Sequence, residues 1–148
     1  MKKYIDDVRY GNCDISGGIT KFWLANSLKI SAEEQVDFIK RLYFDDLPFS
    51  TRSMKIVKKN TELKKTDKGE LHGKTGSDRE DGKDVLGWFV GYVVHDGHPY
   101  VFATNIQAKD GAWGKRAREI TESILEAEFD PISDEDLKGP RIQSKACS

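Results

Sequence analysis

The strongest constraint on this chain lies in its second half, where two apolar runs, residues 85–94 and 99–106, are separated by His95-Asp96-Gly97-His98. Asp-Gly between strand-like runs marks a two-residue hairpin, because its turn needs positive φ at both central positions. The runs are rich in Val, Phe, Tyr, Trp and Ile, residues that suit a pleated, half-buried surface. A chain that closes this hairpin must also cover at least one of its faces. Just upstream, residues 70–75 read as a third strand, and residues 77–84 as a polar, glycine-containing loop leading into the hairpin.

Before residue 58 the pattern is helical. Residues 1–9 carry Tyr4, Ile5 and Val8 on one face. The loop Tyr10-Gly11-Asn12-Cys13-Asp14-Ile15-Ser16-Gly17-Gly18 follows, and Thr20 can cap a short helix containing Phe22, Trp23 and Leu24. Ser31-Ala32-Glu33-Glu34 is a capping box opening a helix with Val36, Ile39, Leu42 and Tyr43 on its apolar face. Leu47-Pro48-Phe49-Ser50 closes that unit, and Ser50 can cap another helix through Met54, Ile56 and Val57. Residues 58–69 read as a lysine-rich, turn-prone connection. From Gly111 a last helix places Ala117, Ile120, Ile124 and Leu125 at helical spacing. Helices, then an antiparallel sheet of about three strands, then a covering helix make an α+β order. A three-stranded sheet leaves strand edges that need cover.

Charged residues make up 33% of the chain and hydrophobic ones 37%, so the surface must be heavily charged around a modest core. Residues 1–129 are expected to form one unit, and residues 130–148, poor in apolar types, a disordered tail. The net charge of −1 and the mixed signs give no basic face for nucleic acid. No apolar run reaches membrane-spanning length, and the first residues lack the apolar stretch of a signal peptide. Cys13 and Cys147, at opposite ends of the chain, do not make a disulfide framework. His95 and His98 flank the hairpin turn and read as solvated, so neither a metal nor another cofactor is expected.

One stretch carries chemistry. Leu71-His72-Gly73-Lys74-Thr75-Gly76-Ser77 joins a lysine and a hydroxyl on a strand. On an edge strand such a pair, with backbone N–H groups beside it, can receive a carboxylate and an oxyanion together. A Lys-Thr-Gly triplet alone is equally compatible with a solvated strand lysine.

The surrounding pieces sharpen that reading. In order they are Tyr10-Gly11-Asn12; Ile15-Ser16-Gly17-Gly18-Ile19-Thr20-Lys21-Phe22-Trp23-Leu24; the segment from Leu28-Lys29-Ile30 through Phe38; Leu42-Tyr43 with Leu47-Pro48-Phe49; Gly73-Lys74-Thr75-Gly76; and Gly87-Trp88-Phe89-Val90-Gly91. In order and spacing the series resembles the penicillin-recognising serine enzymes, most closely the carboxy-terminal portion of class D β-lactamases and of the related β-lactam sensor domains. The resemblance covers about residues 1–128. It implies a serine β-lactamase/transpeptidase-like fold, a β-lactam as the small-molecule partner of the intact family member, and secreted, periplasmic or membrane-anchored relatives. It also implies covalent acyl transfer by a serine in a Ser-x-x-Lys motif, with the lysine, carbamylated in class D enzymes, as base. That motif and a second, Ser-x-Val/Ile, precede Tyr-Gly-Asn in the family. Here no serine of the chain has lysine three positions on. By resemblance, Lys74 and Thr75 would face the substrate carboxylate and the Ser77 N–H would belong to the oxyanion hole, with Gly76 completing the motif. Trp23 corresponds to the tryptophan that holds the carbamate and Leu24 to an apolar gate, while Tyr10 and Asn12 support the same region. Arg116 and Arg118 lie near the position of a carboxylate-binding arginine. The chain is thus expected to be an incomplete enzyme, with a sensor fragment or an inert truncated product as the other readings.

Overall fold

The computed structural model describes residues 1–23, 27–66 and 69–129, so the tail expected over residues 130–148 lies outside the described residues. The elements run α1 (Lys2–Val8), α2 (Ala32–Tyr43), α3 (Thr51–Asn60), β1 (Glu62–Thr66), β2 (Gly69–Glu80), β3 (Lys83–His95), β4 (His98–Gln107) and α4 (Gly114–Phe129). The four strands form one antiparallel sheet in sequence order. The expected α+β arrangement is what the structure has.

Local chemistry accounts for most of the boundaries. Ser31 Oγ accepts from the Glu34 N–H at 3.1 Å while the Glu34 carboxylate accepts from the Ser31 N–H at 2.8 Å, the reciprocal capping box. Ser50 Oγ accepts from the Ser53 N–H at 3.1 Å and opens α3. Asp96-Gly97 closes the β3–β4 hairpin with φ of 49° and 78°, between the paired His95 and His98.

Three expectations need correction. Residues 77–84 are not a loop: β2 continues to Glu80 and β3 starts at Lys83, joined by Asp81-Gly82 at φ of 48° and 78°. The hairpin tip projects into solvent, so its strands carry no apolar alternation to reveal them. Residues 62–66 form a fourth strand, β1, because the Gly69–His72 part of β2 offers them a pairing edge. The segment capped by Thr20 is a series of turns through Trp23, not a helix. Two apolar faces are also narrower than their spacing suggested: Met54 is buried in α3 while Ile56 and Val57 are largely exposed, and Ile124 of α4 faces solvent.

The register sorts the sheet into two faces. Thr75, Phe89 and Thr104 align across three strands, as do Ser77, Gly87 and Ile106, and α4 covers this face. Thr104 Oγ1 and Thr121 Oγ1 lie 2.6 Å apart, and the Gly114 N–H donates to Ser77 Oγ at 2.8 Å. A Cβ on Gly114 would come within 2.6 Å of the Gly76 carbonyl oxygen, so only glycine lets α4 start this close to β2. On the opposite face Tyr92 joins Val8, Ile39, Leu42, Leu47 and Met54 in the main core, with Val90, Val94 and Val101 packed against it. Burying each such side chain contributes about 1.5–3 kcal/mol.

Candidate functional site

That second face is roofed only in part. Beyond Tyr92 the helices stop and a cleft of about 520 Å³ remains. Lys74, Asp78, Leu86, Trp88, Asn105 and Gln107 belong to this face by register and line the cleft from β2, β3 and β4. Its other wall comes from Tyr10, Trp23, the Leu28–Ile30 stretch and Gln35 of α2.

At the mouth of the cleft the sheet edge is bare among the described strands. β1 pairs with β2 only as far as His72. The next N–H, of Gly73, reaches outward to the Thr61 carbonyl at 2.8 Å. Backbone groups alternate along an antiparallel strand, and the ladder is regular up to Asp78. The N–H groups of Thr75 and Ser77 therefore point to the same open edge as that of Gly73. Lys74 Nζ folds back onto the Thr75 carbonyl at 2.5 Å, which sets its positive charge beside these two donors. Among the described residues neither N–H has a partner, and an ammonium with two such groups next to it is a receptor for anionic oxygen.

The residues singled out above are distributed as follows. Lys74, Thr75, Gly76, Ser77, Tyr10 and Trp23 all border the cleft. Strand alternation turns the Lys74 side chain to the cleft face and those of Thr75 and Ser77 to the α4 face, so the last two meet the cleft through their backbone. Trp23 is about half exposed and stands edge-on to the buried Phe22 at 4.8 Å, so Phe22 and not Trp23 is the core aromatic. Leu24 lies outside the described residues. Asn12 does not line the cleft but ties its wall together. Its N–H donates to the Lys29 carbonyl at 2.9 Å, its Oδ1 accepts from the Lys29 and Asp14 N–H groups, and its Nδ2 donates to the Ser27 carbonyl. Arg116 and Arg118 are not brought to the cleft. Arg118 pairs with Glu122 at 2.8 Å and lies over the Phe89 ring, on the α4 face, while Arg116 is exposed beside Glu119.

Sequence reasoning missed three polar members. Gln35 is buried on α2 and its Nε2 donates to the Tyr10 hydroxyl at 2.5 Å. Burial of the Tyr10 phenol raises its pKa, and the Gln35 hydrogen bond offsets part of that rise. A glutamine one turn before Ile39, at a position on the buried face, was the available signal. Gln107 donates to Asn105 Oδ1 at 3.1 Å, leaving Asn105 Nδ2 buried with no partner among the described residues. Among the described residues no group of three His, Cys, Asp or Glu side chains could hold a metal ion. No described helix is long and apolar enough to cross a membrane.

Comparison with known proteins converges on one group. Residues 1–126 match the penicillin binding protein transpeptidase domain. The chain is 43% identical over 125 residues to the probable β-lactamase YbxI of Bacillus subtilis, covering 84% of this chain and 45% of that protein. It is 39% identical over 125 residues to the methicillin resistance mecR1 protein of Staphylococcus aureus, covering 84% of this chain and 21% of that one. Among solved structures, the class D β-lactamase BAT-2 superposes with a TM-score of 0.79 at 45% identity, over 90% of this chain and 54% of that one. The chain thus spans about half the length of the two β-lactamases and about a fifth of the mecR1 protein.

Proposed function

The chain belongs to the penicillin-binding-protein transpeptidase-domain family, and from that membership we propose that its cleft is the anion-receiving half of a β-lactam-recognising acyl-transfer site. Lys74 attracts the substrate carboxylate, the N–H groups of Thr75 and Ser77 receive carboxylate or carbonyl oxygen, and Trp23 and Tyr10 form the facing wall. The observation that carries this reading is the coincidence of Lys74 with two outward N–H groups on a stretch of β2 whose outer side is unpaired among the described residues. Neither Arg116 nor Arg118 is given a role in it.

The catalytic half is missing from these residues. In the family's reaction, by the resemblance described above, a serine attacks the ring and a lysine takes its proton. No serine here has lysine three positions on. An oxyanion donor alone supplies about 10²–10³ in rate, but without a nucleophile there is no covalent intermediate to stabilise. The chain by itself therefore binds and does not turn over. Its likeness both to YbxI and to the mecR1 protein supports two parent activities, hydrolysis by a class D enzyme and sensing by a receptor domain, which share this receiving edge.

The test titrates benzylpenicillin into the ¹⁵N-labelled chain. Shifts should concentrate at Lys74–Ser77 and the Trp23 indole, Lys74→Ala should weaken binding about ten- to hundredfold as for a charged hydrogen bond, and mass spectrometry should find no adduct. A stoichiometric adduct on any serine, or binding indifferent to Lys74→Ala, would sink the reading.

A further inference from the structure

Lys74 occupies one end of the cleft floor, and the other end is acidic. Register places Lys74, Gly76 and Asp78 on the cleft face of β2, opposite Val90, Trp88 and Leu86 of β3. The floor therefore runs cation, gap, anion along a single strand. At about 3.3 Å per residue, the Cα atoms of Lys74 and Asp78 stand roughly 13 Å apart. The lysine leans toward the acid, because its Nζ lies on the Thr75 carbonyl. Gly76 keeps the interval open. A Cβ there would meet Trp88 Cβ at 3.6 Å, an ordinary contact, so packing does not demand glycine at this point.

Asp78 is half-buried and forms no ion pair among the described residues. Its Oδ1 accepts from the N–H of its neighbour Arg79 at 2.9 Å, and its Oδ2 has no partner among the described residues. Arg79, the nearest cation along the chain, is held elsewhere: Nε pairs with Asp84 at 3.0 Å and Nη2 donates to the Gly82 carbonyl at 3.2 Å. Past Asp78 the cleft continues into an adjoining hollow of about 830 Å³, and Lys29, Asp78, Leu86 and Gln107 border both. At the hairpin tip, Glu80 stands opposite Lys83 across the strand pair. A partly desolvated carboxylate is costly to leave unpaired, and a ligand cation satisfies it through a charge-assisted hydrogen bond.

From this geometry we infer that Asp78 is a specificity residue of the cleft, selecting β-lactams whose acyl side chain carries an ammonium group. The inference rests on the reading that the cleft receives a β-lactam carboxylate at Lys74. With the carboxylate held there, the ring lies along β2 past the Ser77 N–H, and the substituent on the far side of the ring reaches Asp78. An α-ammonium on that substituent spans the interval with a hydrogen bond at each end of the molecule. A neutral side chain leaves Asp78 unpaired, and an anionic one meets a like charge, so discrimination comes from repulsion as well as attraction. Lys29 on the facing wall sets the size of the effect. It borders the same end of the cleft, so the ammonium gains an acid in the presence of one nearby cation, and the preference is moderate.

The experiment compares ampicillin with benzylpenicillin, which differ by one α-amino group, in titrations of the full ¹⁵N-labelled chain at about pH 6, below the usual α-amino range. Ampicillin should bind about tenfold more tightly, as for a hydrogen bond between charged groups, and should shift the Asp78, Leu86 and Gln107 amides more strongly. Asp78→Asn keeps the Oδ1 acceptor for the Arg79 N–H and should bring the two ligands within about twofold of each other. Asp78→Glu should keep part of the preference. In the parent chain the preference should fade as pH rises to about 9 and the ligand amine loses its proton, a readout that needs no variant to fold. Any change at Lys74 acts on both ligands and cancels in the ratio. Equal affinity for the two ligands in the parent chain, with Lys74→Ala still weakening both, would overturn the inference and leave the carboxylate site standing. A preference that survives Asp78→Asn or persists at about pH 9 would overturn it too. Failure of both ligands to bind would sink the carboxylate reading and this inference with it.

Discussion

One face of a single sheet ends in two different ways. Around Tyr92 it is roofed by α1, α2 and α3 and closes into a core with Val8, Ile39, Leu42, Leu47 and Met54. About two residues further along the strands, past Val90, the same face opens onto a cleft lined by Lys74, Trp88, Asn105 and Gln107. Strand pairing is continuous through both, so the backbone does not distinguish them. What differs is whether a helix presents an apolar face to that stretch. Where one does, side chains are spent on packing; where none does, polar groups stand at fixed positions on a rigid strand, and binding chemistry becomes possible.

The comparison would break first at its closed end. Met54 is 2% exposed and sits between α3 and the sheet. Met54→Ala removes its apolar volume from a region with no solvent to refill it, so stability should fall by about 2–5 kcal/mol in a denaturant titration. Ile56→Ala, two residues on and exposed, should cost less than about 0.5 kcal/mol. If the two variants lose equal stability, the closed end is not closed.

Legibility in the sequence follows the same division. Ser31-Ala32-Glu33-Glu34 and Asp96-Gly97 announce a helix start and a turn because the chemistry that makes them lies within a few residues. β1 could not be read, since Glu62, Lys64 and Lys65 carry no strand signal and the strand exists only because β2 offers it a pairing edge. The Asp81-Gly82 turn was as explicit as Asp96-Gly97, but its flanks are charged on both faces, and alternation needs one buried face to show itself. At the candidate site the Lys74–Ser77 segment was readable as a motif. Tyr10 and Trp23 of the facing wall were readable by resemblance, but Gln35 beside them and Asn105 on β4 were not, because these two reach the cleft only through tertiary packing.

A second test of the closed end uses pH. Burial raises the Tyr92 phenol from 10.0 to about 12, with Tyr43 nearby adding to it. The folded chain then keeps its phenolic proton at a pH where the unfolded chain has lost it. Stability should hold below about pH 10 and fall by roughly 2–3 kcal/mol as pH rises toward 12. Tyr92→Phe, measured by thermal melts across that range, should flatten the decline attributable to this site. An unchanged slope would place the alkaline sensitivity elsewhere.

Between the two ends stands the Tyr10–Gln35 hydrogen bond. Tyr10→Phe leaves the buried Gln35 amide without its acceptor and should cost about 1–3 kcal/mol. Adding Gln35→Leu removes the orphaned group, and the double variant should recover most of that loss. If the two costs simply add, the pair is not coupled and Gln35 is not what holds the cleft wall in place.

The smallest effect on stability is expected at the open end, where the effect on binding is largest. Lys74 is exposed, and its one side-chain hydrogen bond among the described residues, to the Thr75 carbonyl, can be replaced by water. Lys74→Ala should therefore change the unfolding free energy by less than about 0.5 kcal/mol. A residue kept for packing cannot satisfy that condition together with a loss of anion binding, because its removal would disturb both. Lys74→Arg sharpens the point further: it keeps the charge but replaces a compact ammonium with a planar fork. If binding needs only positive charge beside the Thr75 and Ser77 N–H groups, the arginine variant should retain it within a few-fold. If it needs a point donor at the Lys74 Nζ position, arginine should bind as poorly as alanine while melting like the parent.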